Sequence, residues 1–168
     1  LSQAGWVLVL RGSPAGLTSA GAQSWRQGKG GVPSQPSAGE LFGNALAAGD
    51  VNGDGYADLA IGADRESDTP PEADDRGSGV HLLLGGSAGL TSVGGQYFLA
   101  ADLGMWPSSV FRLTFGDFNR DGRDDLALGS VSATAVLHGH TDGLRPGLLP
   151  AAGTPGVDAV WPVGGADE

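Results

Sequence analysis

Residues 41–62, LFGNALAAGDVNGDGYADLAIG, decide the fold prediction, because oxygen-bearing side chains interrupt a run of small and apolar residues at regular spacing. Four of these side chains fall at positions one, three, five and nine of a loop: Asp50, Asn52, Asp54 and Asp58. Gly55 at position six suits a sharp turn, and Tyr56 at position seven offers its backbone carbonyl. Calcium takes about six to eight oxygen ligands, most of which such a loop supplies. The stretch therefore predicts a calcium-binding loop that leads into a strand.

The same pattern recurs in residues 115–129, FGDFNRDGRDDLALG. Arg123 stands at position seven, where it offers its backbone carbonyl, and the four side-chain positions are Asp117, Asn119, Asp121 and Asp125. Asp117 lies 67 residues after Asp50, and both loops are followed by Leu-Ala-aliphatic-Gly. A single acidic, glycine-rich turn can be merely solvated surface, but its repetition favours two calcium sites.

Composition narrows the range of functions. The chain has 168 residues, a formal net charge of −10 and no cysteine. Nucleic acid is bound by clustered Lys and Arg, so nine scattered basic residues argue against it as a partner. Disulfides and thiol catalysis are excluded, and no apolar run is long enough for a membrane span. Because calcium is abundant outside cells and scarce in the cytosol, the loops predict a secreted or cell-surface protein.

Repetition extends beyond the two loops. GWVLVL at residues 5–10 and VHLLL at residues 80–84 are each followed by a glycine-rich turn and Gly-Leu-Thr. A weaker third copy begins with AVLHG at residues 135–139. Repeats of this kind indicate an array of one supersecondary unit.

One unit is predicted to contain four antiparallel strands, near residues 41–48, 57–62, 79–84 and 96–100, as in a β-propeller blade. The chain is therefore predicted to be an all-β, partial β-propeller of about two and a half blades. Its parts are the second half of a blade with a linker (1–39), a complete blade (40–109), a looser blade (110–156) and the start of a truncated blade (157–168). A closed propeller takes about four to eight blades, so the remaining blades of the same propeller are expected as partners.

Three further segments give weaker indications of a functional site. Segment 63–78 carries six acidic residues and is interpreted as a solvated insertion, with a further cation site or a recognition loop as the alternative. GGSAG at residues 85–89 matches a hydrolase nucleophile elbow, but the corresponding turn has Pro14 where Ser87 stands, which argues against a nucleophile. His138 and His140, expected in a turn, would ligate zinc only with a third ligand from elsewhere.

Phe42-Gly43 ahead of residues 49–63, GDVNGDGYADLAIGA, and then Gly79-Val80, resembles the FG-GAP repeat of integrin alpha subunits and of many exported bacterial proteins. The second loop is similar, although Val110-Phe111-Arg112 replaces the Phe-Gly ahead of it. The resemblance implies a seven-bladed propeller in which calcium is structural.

The resemblance also implies a non-enzymatic role in adhesion or in recognition of a protein or carbohydrate ligand. The alternative is an accessory or substrate-binding propeller of a secreted hydrolase or polysaccharide lyase. An EF-hand is excluded, since its loop needs glutamate at position twelve, where Ile61 and Leu128 stand.

Overall fold

The computed structural model describes residues 3–36, 39–64, 78–105, 112–130 and 133–147. These ranges form ten β-strands and a short 3-10 helix, Ala101–Leu103, and they contain no α-helix. Within them no helix has the length and apolarity needed to cross a membrane. The all-β prediction is confirmed, whereas the acidic segment 65–77 and the proposed blade start at 157–168 lie outside the described residues.

The first sheet has two antiparallel strands, β1 (Val7–Ser13) and β2 (Gly16–Trp25). A two-residue turn joins them, so that Ser13 pairs with Gly16 and Gly12 with Leu17. Gly16 has a φ of 105°, which a residue without a Cβ adopts at little cost.

The second and third sheets each have four antiparallel strands that follow one another in chain order. The second contains β3 (Ala45–Gly49), β4 (Asp58–Ala63), β5 (Gly79–Leu84) and β6 (Thr91–Leu99). The third contains β7 (Arg112–Gly116), β8 (Asp125–Gly129), β9 (Thr134–His140) and β10 (Gly143–Pro146). Four-stranded antiparallel sheets of this kind are the blades of β-propellers. The three sheets fall within residues 1–39, 40–109 and 110–156, and the unit boundaries themselves stay predictions.

Two strands of the second sheet differ in length from their predictions. β3 begins at Ala45 because the four residues before it form a turn, in which the Asn44 N–H donates to the Leu41 carbonyl (2.9 Å). Phe42 in this turn is buried and pairs with Gly5 beside the first sheet. β6 begins at Thr91 rather than at Gln96, because pairing with β5 continues back to Leu84.

Apolar residues between the sheets form the core in two clusters. One joins the first and second sheets through Val7, Phe42, Ile61, Ala63 and Leu83. The other joins the second and third sheets and includes Ala60, Leu82, Leu126, Leu128 and Leu137. Successive residues of β4 and β5 therefore face the third and the first sheet in turn, so the second sheet is covered on both faces.

Two glutamine side chains bridge successive sheets. The Gln23 carboxamide in β2 donates to the Leu90 carbonyl (2.8 Å) and accepts from the Leu90 N–H (2.8 Å). Gln96 in β6 makes the same pair of bonds with Leu144, at 2.9 and 2.6 Å. We call each pair of bonds a carboxamide clamp. Each clamp satisfies two main-chain groups that point away from their own sheet, and thereby fixes how neighbouring sheets align.

Replacing Gln96 with leucine should lower the free energy of unfolding by about 2 kcal/mol, because the N–H and C=O of Leu144 lose their partners. Gln35→Leu, at an exposed glutamine outside the clamps, is the matched control and should change it by less than about 0.5 kcal/mol. Urea unfolding of both variants measures the difference, and equal effects would show that the clamp contributes nothing.

Candidate metal centre

The first oxygen-rich loop, residues 50–58, connects β3 to β4. Its ends are held together by the strand ladder, because Gly49, the last residue of β3, pairs with Asp58, the first residue of β4. Backbone pairing thus closes the nine-residue loop independently of its side chains.

Asp50 organises the near half of this loop. One of its carboxylate oxygens accepts the N–H groups of Gly53 (2.8 Å) and Asp54 (3.1 Å), and the other accepts the N–H of Gly55 (2.8 Å). Gly53 and Gly55 have φ values of 75° and 85°, so the turn uses two positions that favour glycine.

Asn52 and Asp54 continue the same network. The Asn52 oxygen accepts the N–H of Asp54 (3.0 Å), and its amide nitrogen donates to the Asp54 carboxylate (3.0 Å). Asp54 in turn accepts the N–H of Tyr56 (2.9 Å). The side chains at positions one, three and five therefore lie on the inner side of one turn, as their spacing predicts.

Asp58 is fully buried, and its carboxylate spans two segments. One oxygen accepts the Val51 N–H (2.9 Å), and the other accepts the Gly85 N–H (2.7 Å) in the β5–β6 hairpin. Burial raises the pKa of Asp58; these two N–H bonds oppose the shift, and the negative charges of Asp54 and Asp50 add to it. The negative charges of Asp58, Asp54 and Asp50 therefore repel one another, and a bound cation would reduce this repulsion.

The second loop, residues 117–125, repeats these bonds atom for atom at most positions. The Asp117 carboxylate accepts the N–H groups of Asp121 and Gly122 (both 3.0 Å). The Asn119 side-chain oxygen accepts the Asp121 N–H (2.9 Å), and its amide nitrogen donates to the Asp121 carboxylate (3.1 Å). Asp121 accepts the Arg123 N–H (2.9 Å).

Asp125 in the second loop is the counterpart of Asp58. It is fully buried and accepts the N–H groups of Phe118 (3.0 Å), Asn119 (3.2 Å) and Gly139 (2.9 Å), the last in the β9–β10 hairpin. Two loops 67 residues apart therefore fold by the same side-chain chemistry.

Asp124 links the two loops to each other. Its carboxylate accepts the Asp50 N–H (2.9 Å), and its own N–H donates to the Asp50 carbonyl (2.9 Å). Asp124 was not predicted from the sequence: Ala57 stands at the same position of the first loop, so the repeat pattern contains no signal for it.

The loop oxygens suit a hard cation such as calcium. In the described ranges no three Asp, Glu or His side chains group around a single point as metal ligands, because the carboxylates turn toward backbone N–H groups. A carboxylate oxygen has two lone pairs, so an oxygen that accepts a single N–H, such as the Asp50 oxygen bonded to Gly55, keeps capacity for a metal bond. The donor set therefore fits calcium in both loops, with Tyr56 and Arg123 at the positions predicted to contribute carbonyls.

The weaker sequence motifs do not form sites in the described residues. Ser87 lies in the turn between the strands β5 and β6, not in a strand-to-helix turn, so the nucleophile elbow is absent there. His138 and His140 lie in β9 rather than in a turn, which corrects the prediction. His138 lies 3.3 Å from Asp125, whereas the partner of His140, Asp142, is bound by Arg145 at 2.9 Å.

Position four of the two loops offers a test of the loop geometry. Arg120 has a φ of 65°, where the first loop has Gly53 at 75°. A side chain costs about 1–2 kcal/mol in this left-handed region, so Arg120→Gly should raise the free energy of unfolding by about 0.5–1 kcal/mol after its entropic cost. Gly53→Ala should lower it by about 1 kcal/mol. Thermal unfolding in a chelator measures both, and shifts of the same sign would contradict the described turn.

Comparison with known families agrees with this geometry. Residues 42–83 match the family model of the FG-GAP repeat. The match begins at Phe42, runs through the first loop and β4, and ends in β5. The chain therefore contains an FG-GAP repeat, the unit from which β-propeller blades of this kind are built.

Proposed function

We propose that this chain is a calcium-binding segment of a β-propeller that serves adhesion or ligand recognition in a secreted or cell-surface protein. One observation supports the metal most directly: two loops at equivalent places in neighbouring sheets use the same oxygen-bearing side chains to make the same bonds. A turn that is merely solvated does not require the same four oxygen-bearing side chains in both sheets.

The residues assigned to the first ion are Asp50, Asn52, Asp54 and Asp58, with the carbonyl of Tyr56. Those assigned to the second are Asp117, Asn119, Asp121 and Asp125, with the carbonyl of Arg123. Calcium supplies positive charge that offsets the mutual repulsion of three carboxylates in each turn. Its role is structural: it holds the loop that joins the first two strands of a blade.

The recognition role is proposed on the basis of the propeller fold and the FG-GAP repeat. FG-GAP repeat domains are typically non-catalytic propeller modules. The ligand that we propose is a protein or a carbohydrate, bound by the assembled blades. The remaining blades of the same propeller are the expected structural partners. Export is proposed because the loops need a compartment in which calcium is abundant.

Calcium should raise the melting temperature, and a chelator should reverse the effect. At a free calcium concentration of one hundred times the dissociation constant, each site adds about 2.7 kcal/mol of stability. Asp54→Ala and Asp121→Ala should each remove about half of the gain. Asp102→Ala, an exposed aspartate outside both loops, should leave it unchanged. A wild-type melting curve that is the same in calcium and in chelator would contradict calcium binding by the loops.

The hydrogen bonds between Asp124 and Asp50 predict that the two ions bind cooperatively. Filling one loop orders Asp50 or Asp124 and so lowers the cost of ordering the other, by about 1 kcal/mol or about fivefold in affinity. Titration calorimetry on wild type, Asp54→Ala and Asp121→Ala gives the affinity of each site alone and together. Asp124→Ala removes the side-chain bond but keeps the main-chain bond, so it should weaken the coupling and keep two bound ions; unchanged coupling in this variant would contradict a role for the carboxylate.

A further inference from the structure

The turn that opens the outer strand has the same geometry in all three sheets. Gly16, Gly89 and Gly143 each follow a two-residue turn and have φ values of 105°, 110° and 121°. In the first and third sheets the register is identical, with Leu17 opposite Gly12 and Leu144 opposite Gly139. The leucine after each glycine is therefore the same structural position.

Two of these three positions are occupied by a glutamine from the preceding sheet. The clamps described above place Gln23 on Leu90 and Gln96 on Leu144. The fit is close, because a Cβ on Gly89 would lie 2.6 Å from the Gln23 side-chain oxygen, and one on Gly143 would overlap that of Gln96. Glycine is thus required at the turn to admit the carboxamide.

The third position, Gly16–Leu17, is open among the described residues. Apart from Gly16 and its two chain neighbours, no described residue has an atom within 4 Å of the place that a Cβ on Gly16 would occupy. Hydrogen-bonded and non-hydrogen-bonded pairs alternate along antiparallel strands, so the shared register turns the N–H and C=O of Leu17 away from β1, as those of Leu144 are turned toward Gln96.

The apolar surface around Gly16 is open in the same way. Leu17 is 76% exposed, whereas its counterpart Leu144 is 1% exposed. Leu8 and Leu10 in β1 are 50% and 39% exposed, whereas the counterparts of Leu10, Leu83 and Leu137, are buried against the preceding sheet. The first sheet therefore exposes the face that the other two sheets bury.

We propose that Leu8, Leu10, Gly16 and Leu17 form a docking surface for the outer strand of another sheet of the same repeat, which inserts a glutamine carboxamide onto Leu17. This inference rests on the propeller interpretation but not on calcium. The partner strand is specified by its sequence: in both clamped cases the glutamine lies seven residues after its own turn glycine, in GLTSAGAQ (16–23) and GLTSVGGQ (89–96).

A neighbouring repeat of the same propeller is favoured over a second copy of this chain. Gln23 and Gln96 are already engaged within the chain. In the third unit, the residue seven positions after Gly143 is Pro150, which has no carboxamide. A second copy therefore offers no free glutamine at the required spacing.

The probe for this surface is a cyclic peptide of residues 79–99, closed by an Asn-Gly turn so that the β5–β6 hairpin is pre-organised. Added to the full chain labelled with ¹⁵N, it should shift the amide signals of Gly16 and Leu17 in a saturable way. The Gln96→Leu peptide should bind at least about fivefold more weakly, because it cannot make the two hydrogen bonds. The chain variant Gly16→Ala should lose the response, as its Cβ occupies the place of the carboxamide oxygen.

Three results would overturn the proposal: no shift at Gly16 and Leu17, equal binding of the two peptides, or concentration-dependent self-association of the chain through this face. Leu17→Ser, which keeps the glycine and the backbone groups, guards against misfolding of Gly16→Ala and should weaken binding while the remaining signals stay in place. Calcium-dependent melting is measured separately, so failure of the metal proposal and failure of this one are distinguished.

Discussion

The buried carboxylates of Asp58 and Asp125 are the constraint on which each blade depends. Each lies at the start of a second strand, accepts an N–H from the beginning of its own loop, and accepts another from the outer hairpin, at Gly85 or Gly139. One charged group thus ties the inner and outer halves of a sheet. Removing it would leave two or three N–H groups without partners, among them the buried N–H of Val51 or of Gly139, so it should destabilise the blade.

Polar side chains also join neighbouring sheets. Asp124 joins the two oxygen-rich loops, and Gln23 and Gln96 clamp the outer strands of successive sheets. Hydrogen bonds from these side chains to main-chain groups orient neighbouring sheets, whereas the two apolar clusters account for most of the buried apolar surface.

Much of the fold could be predicted because its signals are local. The spacing of Asp50, Asn52, Asp54 and Asp58 demands a closed turn, and the strands on either side follow from short apolar runs bounded by glycine. Strand ends were less predictable: the turn before β3 depends on Phe42 packing against the first sheet, and the extension of β6 depends on its partner β5. Asp124 was not predictable, since its partner lies 74 residues away in another sheet. The clamps had a signal, the repeated Gly-Leu-x5-Gln, whose meaning needs the neighbouring sheet.

The most direct test of calcium as the ligand of both loops is a crystal structure of the chain grown with calcium, with anomalous scattering used to locate the ions. We expect one peak in each loop, within about 2.3–2.6 Å of the side-chain oxygens at positions one, three, five and nine. Loops that keep the described hydrogen bonds but show no peak in saturating calcium would contradict it.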